Sequence, residues 1–325
     1  RDLETKDTKA QGSATLKDTA FAIISLNENS VLVEGKLYKK NETVKTIQTG
    51  IDGIATTTAD LLPYGKYKLE ETKAPEGYLT DGAKAIEFSI TENGKIVDLT
   101  DESHSIYNQI KRGDLEGVKI GAGTHKRLAN VPFKITSKTT GESHIVVTDK
   151  NGQFSTASDW ASHKKNTNAG TSSEDGIWFG TSEPDDSKGA LLYDTYEIEE
   201  LACESNKGMK LIPAFEVVVS RNKVTIGLGT LTDEYEKEIS IHTTATDKKT
   251  GEKVIVAGKK VTIVDTVTLD GLEEGRKYQL KGWQMLKEEN AELLIDGKRV
   301  ESDYTFVADS EKMKVEISYT FDASE

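Results

Sequence analysis

The chain has one cysteine, Cys203, so no disulfide can staple it from within and no set of cysteines has metal-ligand spacing. It has no apolar run near the about 18 residues that read as a membrane span, and no charged-then-apolar leader. Neither a membrane contact nor a signal peptide is therefore expected within these residues; in an exported protein the signal and anchor would lie elsewhere. Basic residues are outnumbered 42 to 55, giving a formal net charge of −13, and they alternate with Asp and Glu. That pattern disfavours nucleic acid as a partner, because phosphate binding needs clustered Lys and Arg. Also missing are a Ser-His-Asp order, a phosphate-binding glycine loop and an HExxH motif, so the reading names no cofactor, no metal and no turnover chemistry. Helical periodicity is scarce. The stretch from Gly282 to Leu294 reads either as a turn or two of helix or as strand, loop and strand.

What the chain does contain is short alternating segments. Ala20–Ser25, Lys66–Glu70, Ala85–Ile90 and Phe215–Val219 are β-branched or aromatic with a period of two, the signature of half-buried strands. Turn signals separate such segments: Asp52-Gly53, Asn93-Gly94, Asn151-Gly152, Thr250-Gly251 and Asp296-Gly297. The spacing predicts an all-β protein of tandem sandwiches, and 325 residues are too many for one.

An internal repeat organises the first two thirds. Leu16-Lys-Asp-Thr-Ala-Phe-Ala-Ile23 aligns with Leu128-Ala-Asn-Val-Pro-Phe-Lys-Ile135, and Tyr67-Lys-Leu-Glu-Glu71 with Tyr196-Glu-Ile-Glu-Glu200. Two copies of one domain are read as residues 1–111 and 112–235, the second with a long excursion at about 155–190 that carries Trp160, His163, Asn166 and Trp178. Residues 236–325 form a third, different sandwich.

Thr72-Lys-Ala-Pro-Glu-Gly-Tyr78, preceded by Tyr67-Lys-Leu-Glu-Glu71, resembles the hallmark of CnaB-type (SpaA-like, prealbumin-like) domains of Gram-positive pilins and adhesins. The second copy resembles a divergent CnaB domain. Ile241–Asp247, Thr262–Val267, Leu272–Tyr278 and Val315–Phe321 are together similar to the VaFE, or Thr-Gln ester-bond, repeats of such proteins. The resemblance implies immunoglobulin-like sandwiches that lock themselves by single-turnover side-chain condensation. It implies a cell-wall-anchored surface protein outside the cell, with neighbouring repeats as partners.

It also implies roles for named residues. In the first domain Glu71 would be the proton-shuttling acid and Asn108 the acceptor. Lys6 is the candidate amine by internal comparison, being ten residues ahead of Leu16 as Lys119 is nine ahead of Leu128; a lysine just upstream of Arg1 is the alternative. In the second domain Lys119 and Glu200 hold the matching places. No Asn stands in register there, which leaves Asp233 as the best acceptor, and a Lys119–Glu200 ion pair without a bond is the alternative. In the third, Thr243 would be the ester nucleophile, with Thr244 as the adjacent choice, assisted by the acids Asp265 and Glu316. The family's accepting glutamine follows a segment like Tyr319–Asp322, so the third domain is read as stopping short of its last strand, with no ester expected unless another copy donates one.

The remaining polar residues carry plainer readings. Asp149-Lys-Asn-Gly152 is a hairpin turn with a flavour of a calcium loop, His125, His144 and His163 are scattered surface residues, and Cys203 is an inert thiol. A competing functional reading has the excursion bind a host extracellular-matrix protein or glycan, with the sandwiches as its scaffold.

Overall fold

The computed structural model describes residues 1–123, 125–165, 169–235 and 238–324; Asn166 lies outside them. The chain divides into two compact units, Arg1–Tyr235 and Glu236–Glu325. Among the described residues the sole helical turn is the 3-10 turn Glu204–Asn206.

The first unit opens with an antiparallel sheet in the order Thr43–Gln48, Ala20–Ser25, Gly65–Lys73, Ile86–Ile90. Ile23, Val44 and Tyr67 from this sheet close over Val31, Val33 and Leu61 as one core. The hairpin Val31–Val33 with Lys36–Tyr38 turns through Glu34 and Gly35, both at positive φ (47° and 81°), as a two-residue turn between right-twisted strands requires.

A second pair of sheets follows. One has the order Ser143–Val147, Pro132–Ser137, Asp194–Glu200, Phe215–Val219, and the other Gln153–Ser155, Arg112–Gly121, Thr225–Tyr235, Met209–Lys210. Their inner faces share a core that includes Leu115, Phe133, Ile135, Val146, Phe154 and Ile198, so the two sheets make a sandwich. Arg112–Gly121 and Thr225–Tyr235 run parallel, laying one of the earliest strands of this sandwich against its last. Ile177 and Phe179 from the excursion join this core and Trp178 is equally buried, whereas Trp160 stays 37% exposed.

There is no break in packing at residues 111 and 112. Leu16 and Tyr78 belong to the same apolar cluster as Leu115 and Phe133. Beside them Glu4 and Arg112 form a buried ion pair with side chains 2% and 1% exposed. Arg112 grips the carboxylate with two prongs, Nε to Oε1 at 2.9 Å and Nη2 to Oε2 at 2.7 Å. Gln109 and Ser182 donate to the same carboxylate, and the guanidinium lies 3.7 Å from the centroid of the Trp178 ring. Burial alone would raise the Glu4 pKa, but the hydrogen bond and charge of Arg112, with help from Gln109 and Lys188, hold it at about 2.

In the second unit Val261–Asp270 pairs on both sides, with Ser240–Asp247 and Lys312–Phe321, and Lys277–Trp283 pairs with Glu301–Val307. Val267, Leu269, Phe306, Val315, Ile317 and Tyr319 form its core. The stretch from Gly282 to Leu294 is strand, not helix: the end of Lys277–Trp283 continues into a hairpin of Met285–Leu286 and Ala291–Glu292.

Candidate cross-linking sites

In the second sandwich three charged side chains meet in the core. Lys119, Glu200 and Asp233 have side chains 0% exposed, an arrangement that costs free energy unless every charge is paired. The parallel register sets Asp233 opposite Gly121, two residues beyond Lys119, so both side chains fall on the same face of the sheet. Lys119 Nζ makes a short hydrogen bond to Asp233 Oδ1 and lies 3.2 Å from Glu200 Oε2. The lysine backbone is pinned by Gly152, whose carbonyl accepts the Lys119 N–H at 2.7 Å. Gly152 sits at φ 68°, and a Cβ there would come within 2.5 Å of the Lys119 carbonyl oxygen, so the Asn-Gly turn has a structural purpose here.

Burial pushes the Asp233 carboxyl up to about 6, the neighbouring Glu200 adding to the rise and Lys119 opposing it. Asp233 Oδ2 is buried with no hydrogen-bond partner among the described residues. Sequence reasoning missed Asn206, which donates from Nδ2 to Glu200 Oε1 at 3.0 Å. It stands six residues past Glu200 on the 3-10 turn, outside any strand period, and nothing in the pattern marks it.

The first sandwich repeats part of this arrangement. Asn108, 3% exposed, donates from Nδ2 to Glu71 Oε1 at 2.7 Å and to the Leu79 carbonyl at 2.9 Å. Burial pushes the Glu71 carboxyl up, against the hydrogen bond from Asn108, and Glu71 Oε2 is buried without a partner among the described residues.

Lys6 does not join them, and this corrects the expectation from internal comparison. It is exposed, has φ 62° and lays its Nζ over the Tyr107 ring at 4.9 Å. The reason is a tight turn: the Lys6 N–H donates to the Asp2 carbonyl, and the Asp2 carboxylate accepts the N–H groups of Glu4 and Thr5. Counting back from Leu16 passes through this turn and loses the register. The parallel bridge that does exist pairs Asp2 with Asn108.

In the second unit Thr243 pairs with Val267, and Asp265 with Ala245 and Ile317, so Thr243 and Asp265 share the sheet face that carries the core. Burial pushes the Asp265 carboxyl up against a hydrogen bond from the Thr244 backbone, and its Oδ1 has no partner among the described residues. Glu316 is a second correction. It pairs with Thr266, one residue out of step with Asp265, and therefore lies exposed on the opposite face, which Thr244 shares.

Two histidines also depart from the expectation. His144 and His163 are buried, packed edge-on to Phe179 at 4.6 Å and against Trp178 at 5.4 Å, because the excursion folds inward over them; His125 is exposed. Cys203 is half-buried against the core. The Asp149 carboxylate is taken up by the turn, accepting the N–H groups of Asn151 and Gln153. Among the described residues no group of three or more His, Cys, Asp or Glu is arranged to hold a metal.

The class that these features define is that of all-β chains built from tandem sandwiches. Two parts of the chain match family models: residues 1–103 match the SpaA prealbumin-like fold domain, and residues 239–325 match the T-Q ester bond containing domain. No curated protein matches the chain. Among solved structures it is similar to the Bacillus anthracis TIE protein (16% identity, TM-score 0.40, 97% of this chain and 47% of that one). It is also similar to a minor pilin of Streptococcus agalactiae (15%, 0.26, 68% and 84%) and to the major pilin SpaD of Corynebacterium diphtheriae (13%, 0.27, 66% and 57%). The chain thus spans about half the length of the TIE protein.

Proposed function

We propose that the chain is a load-bearing segment of a cell-wall-associated surface protein or pilus, divided into three sandwiches at residues 1–111, 112–235 and 236–325 and locked by bonds that it forms on itself. The observation that carries this reading is the buried meeting of Lys119, Glu200 and Asp233. In water an ammonium and a carboxylate pair without reacting. Inside an apolar core the neutral forms gain ground, the amine becomes a nucleophile and the protonated acid an electrophile. Held in contact, the two groups react at an effective concentration of order 10⁵ M or more, so a reaction that happens once per molecule needs no further machinery. The resulting amide ties two parallel neighbouring strands of the same sandwich, where pulling shears them apart.

In the first sandwich, Glu71 and Asn108 would serve as the acid and the acceptor of a corresponding bond. In the second unit Thr243 and Asp265 would serve an ester.

Intact-mass measurement tests the central bond. The full chain should weigh about 18 Da less than its sequence, one water for the Lys119–Asp233 amide, and Asp233→Asn should change the deficit to about 17 Da, one ammonia. A wild-type mass equal to that of the sequence refutes the reading.

The ester acid has a cost that can be measured. A buried carboxyl with a raised pKa favours the folded state only while protonated, so its contribution is complete below the ordinary value of 3.8 and is lost as pH rises through the raised one. Asp265→Val should therefore raise the melting temperature of residues 236–325 at neutral pH, with the gain shrinking in acid. Calorimetry of the full chain, with hydrogen exchange to assign the transition, checks this.

A further inference from the structure

We propose that Asn206 is a positioning residue for the Lys119–Asp233 bond, fixing Glu200 as the group that takes the lysine's proton. This rests on the cross-linking reading above and deepens it. Glu200 Oε1 accepts Asn206 Nδ2 at 3.0 Å, while Oε2 accepts the Ile212 N–H at 3.2 Å and faces Lys119 Nζ at 3.2 Å. Both oxygens thus receive N–H donors, an environment that fits a carboxylate better than an acid, which must donate a proton of its own. Asp233 is placed differently. Its Oδ1 meets Lys119, and its Oδ2 is buried without a partner among the described residues and is free to carry a proton.

The trio therefore divides the work. Lys119 gives a proton to Glu200, and the free Nζ attacks Cγ of the protonated Asp233. As the C–N bond forms and the C–OH bond breaks, Glu200 passes that proton to the departing hydroxyl and takes up the second proton from the nitrogen, so that one water leaves, a neutral amide remains and Glu200 ends protonated. Charge and atoms balance without a co-reactant.

Asn206 is suited to hold Glu200 because it is itself held. It is 2% exposed, its Nδ2 also donates to the Leu201 carbonyl at 3.0 Å, and its Oδ1 accepts the Cys203 N–H at 2.7 Å. The first sandwich supplies an internal contrast. Glu71 receives one donor, Asn108 itself, and its other oxygen has no partner among the described residues. The doubly held carboxylate is thus particular to the second sandwich.

The test follows the mass deficit of the full chain from the start of cell-free synthesis, buffered across about pH 6.5 to 8.5, for wild type, Asn206→Asp and Asn206→Ala. Asn206→Asp keeps the side-chain size and the acceptor for Cys203 but replaces the donor to Glu200 with an oxygen. The expected result is bond formation at least about tenfold slower in Asn206→Asp, with the acid limb of its rate profile moved to higher pH, and a smaller change in the same direction for Asn206→Ala. Unchanged rates and profiles in both variants overturn the proposal. So does a loss of thermal stability with the rate and pH profile unchanged, which would assign Asn206 to folding alone. A wild type that never loses mass refutes the cross-linking reading itself and removes this inference with it.

Discussion

Lys119→Met should abolish the mass deficit and lower the melting temperature of the second sandwich by about 10–20 °C. The link would join residues 114 apart in sequence, and closing a loop of that size restricts the unfolded chain by about 4–5 kcal/mol on the chain-entropy model used for disulfides. Removing the lysine also leaves Glu200 and Asp233 side by side without their cation, which adds to the loss at neutral pH. Asp233→Asn separates the two effects. It keeps an acceptor for Lys119 while removing one carboxylate and should retain most of the stability, so scanning calorimetry with intact mass on the three proteins is decisive. If Lys119→Met melts within a degree or two of wild type, no covalent tie is bearing on stability.

Breaking the Glu4–Arg112 pair should cost about 3–5 kcal/mol, the usual penalty for stranding one buried charge. Glu4→Gln leaves the guanidinium beside Trp178 with its carbonyl partners Phe179 and Ala190 but no counter-charge. Arg112→Met instead leaves the carboxylate with Lys188, 3.4 Å away, as its remaining cation among the described residues. Replacing both by apolar residues of similar size should recover much of the loss, because the pair is stabilising mainly relative to its broken halves. Acid should have a related effect. A carboxylate held at about 2, against an ordinary 4.5, stabilises fully above 4.5 and loses that contribution as pH falls toward 2. Denaturant unfolding at neutral pH and in that acid window, for wild type and Glu4→Gln, should converge as the pH drops. Curves that stay parallel would show that the pair contributes nothing.

This ion pair was invisible in the sequence, although both residues were in plain view. Glu4 lies in an N-terminal turn and Arg112 at a strand start, and nothing in periodicity says that two charges 108 residues apart will be enclosed by an inward-folding excursion. The excursion was legible as an insertion. Its burial was not, because the solvent exposure of Trp178 and His163 depends on which neighbours cover them.

The cross-linking sites divide in the same way. Alternation was enough to find Ala20–Ser25 and Phe215–Val219 as strands with those bounds, because period two is a local property of side chains on a pleated backbone. The repeat aligned Glu71 with Glu200, since each ends the same local run after a tyrosine. Lys6 failed where the chain turned, for a count of residues measures distance along the chain and not position in a ladder. Glu316 failed by a single residue, which on a strand reverses the face. Asn206 had no local signal at all.

The sequence by itself therefore determined the all-β character, the repeat and the kinds of residue available for condensation, because these follow from composition and short-range period. Which amine faces which carbonyl was decided only by the tertiary structure. The parallel alignment of Arg112–Gly121 with Thr225–Tyr235 joins segments more than a hundred residues apart, and the apolar packing that excludes water around Lys119, Glu200 and Asp233 likewise arises from contacts between segments distant in sequence.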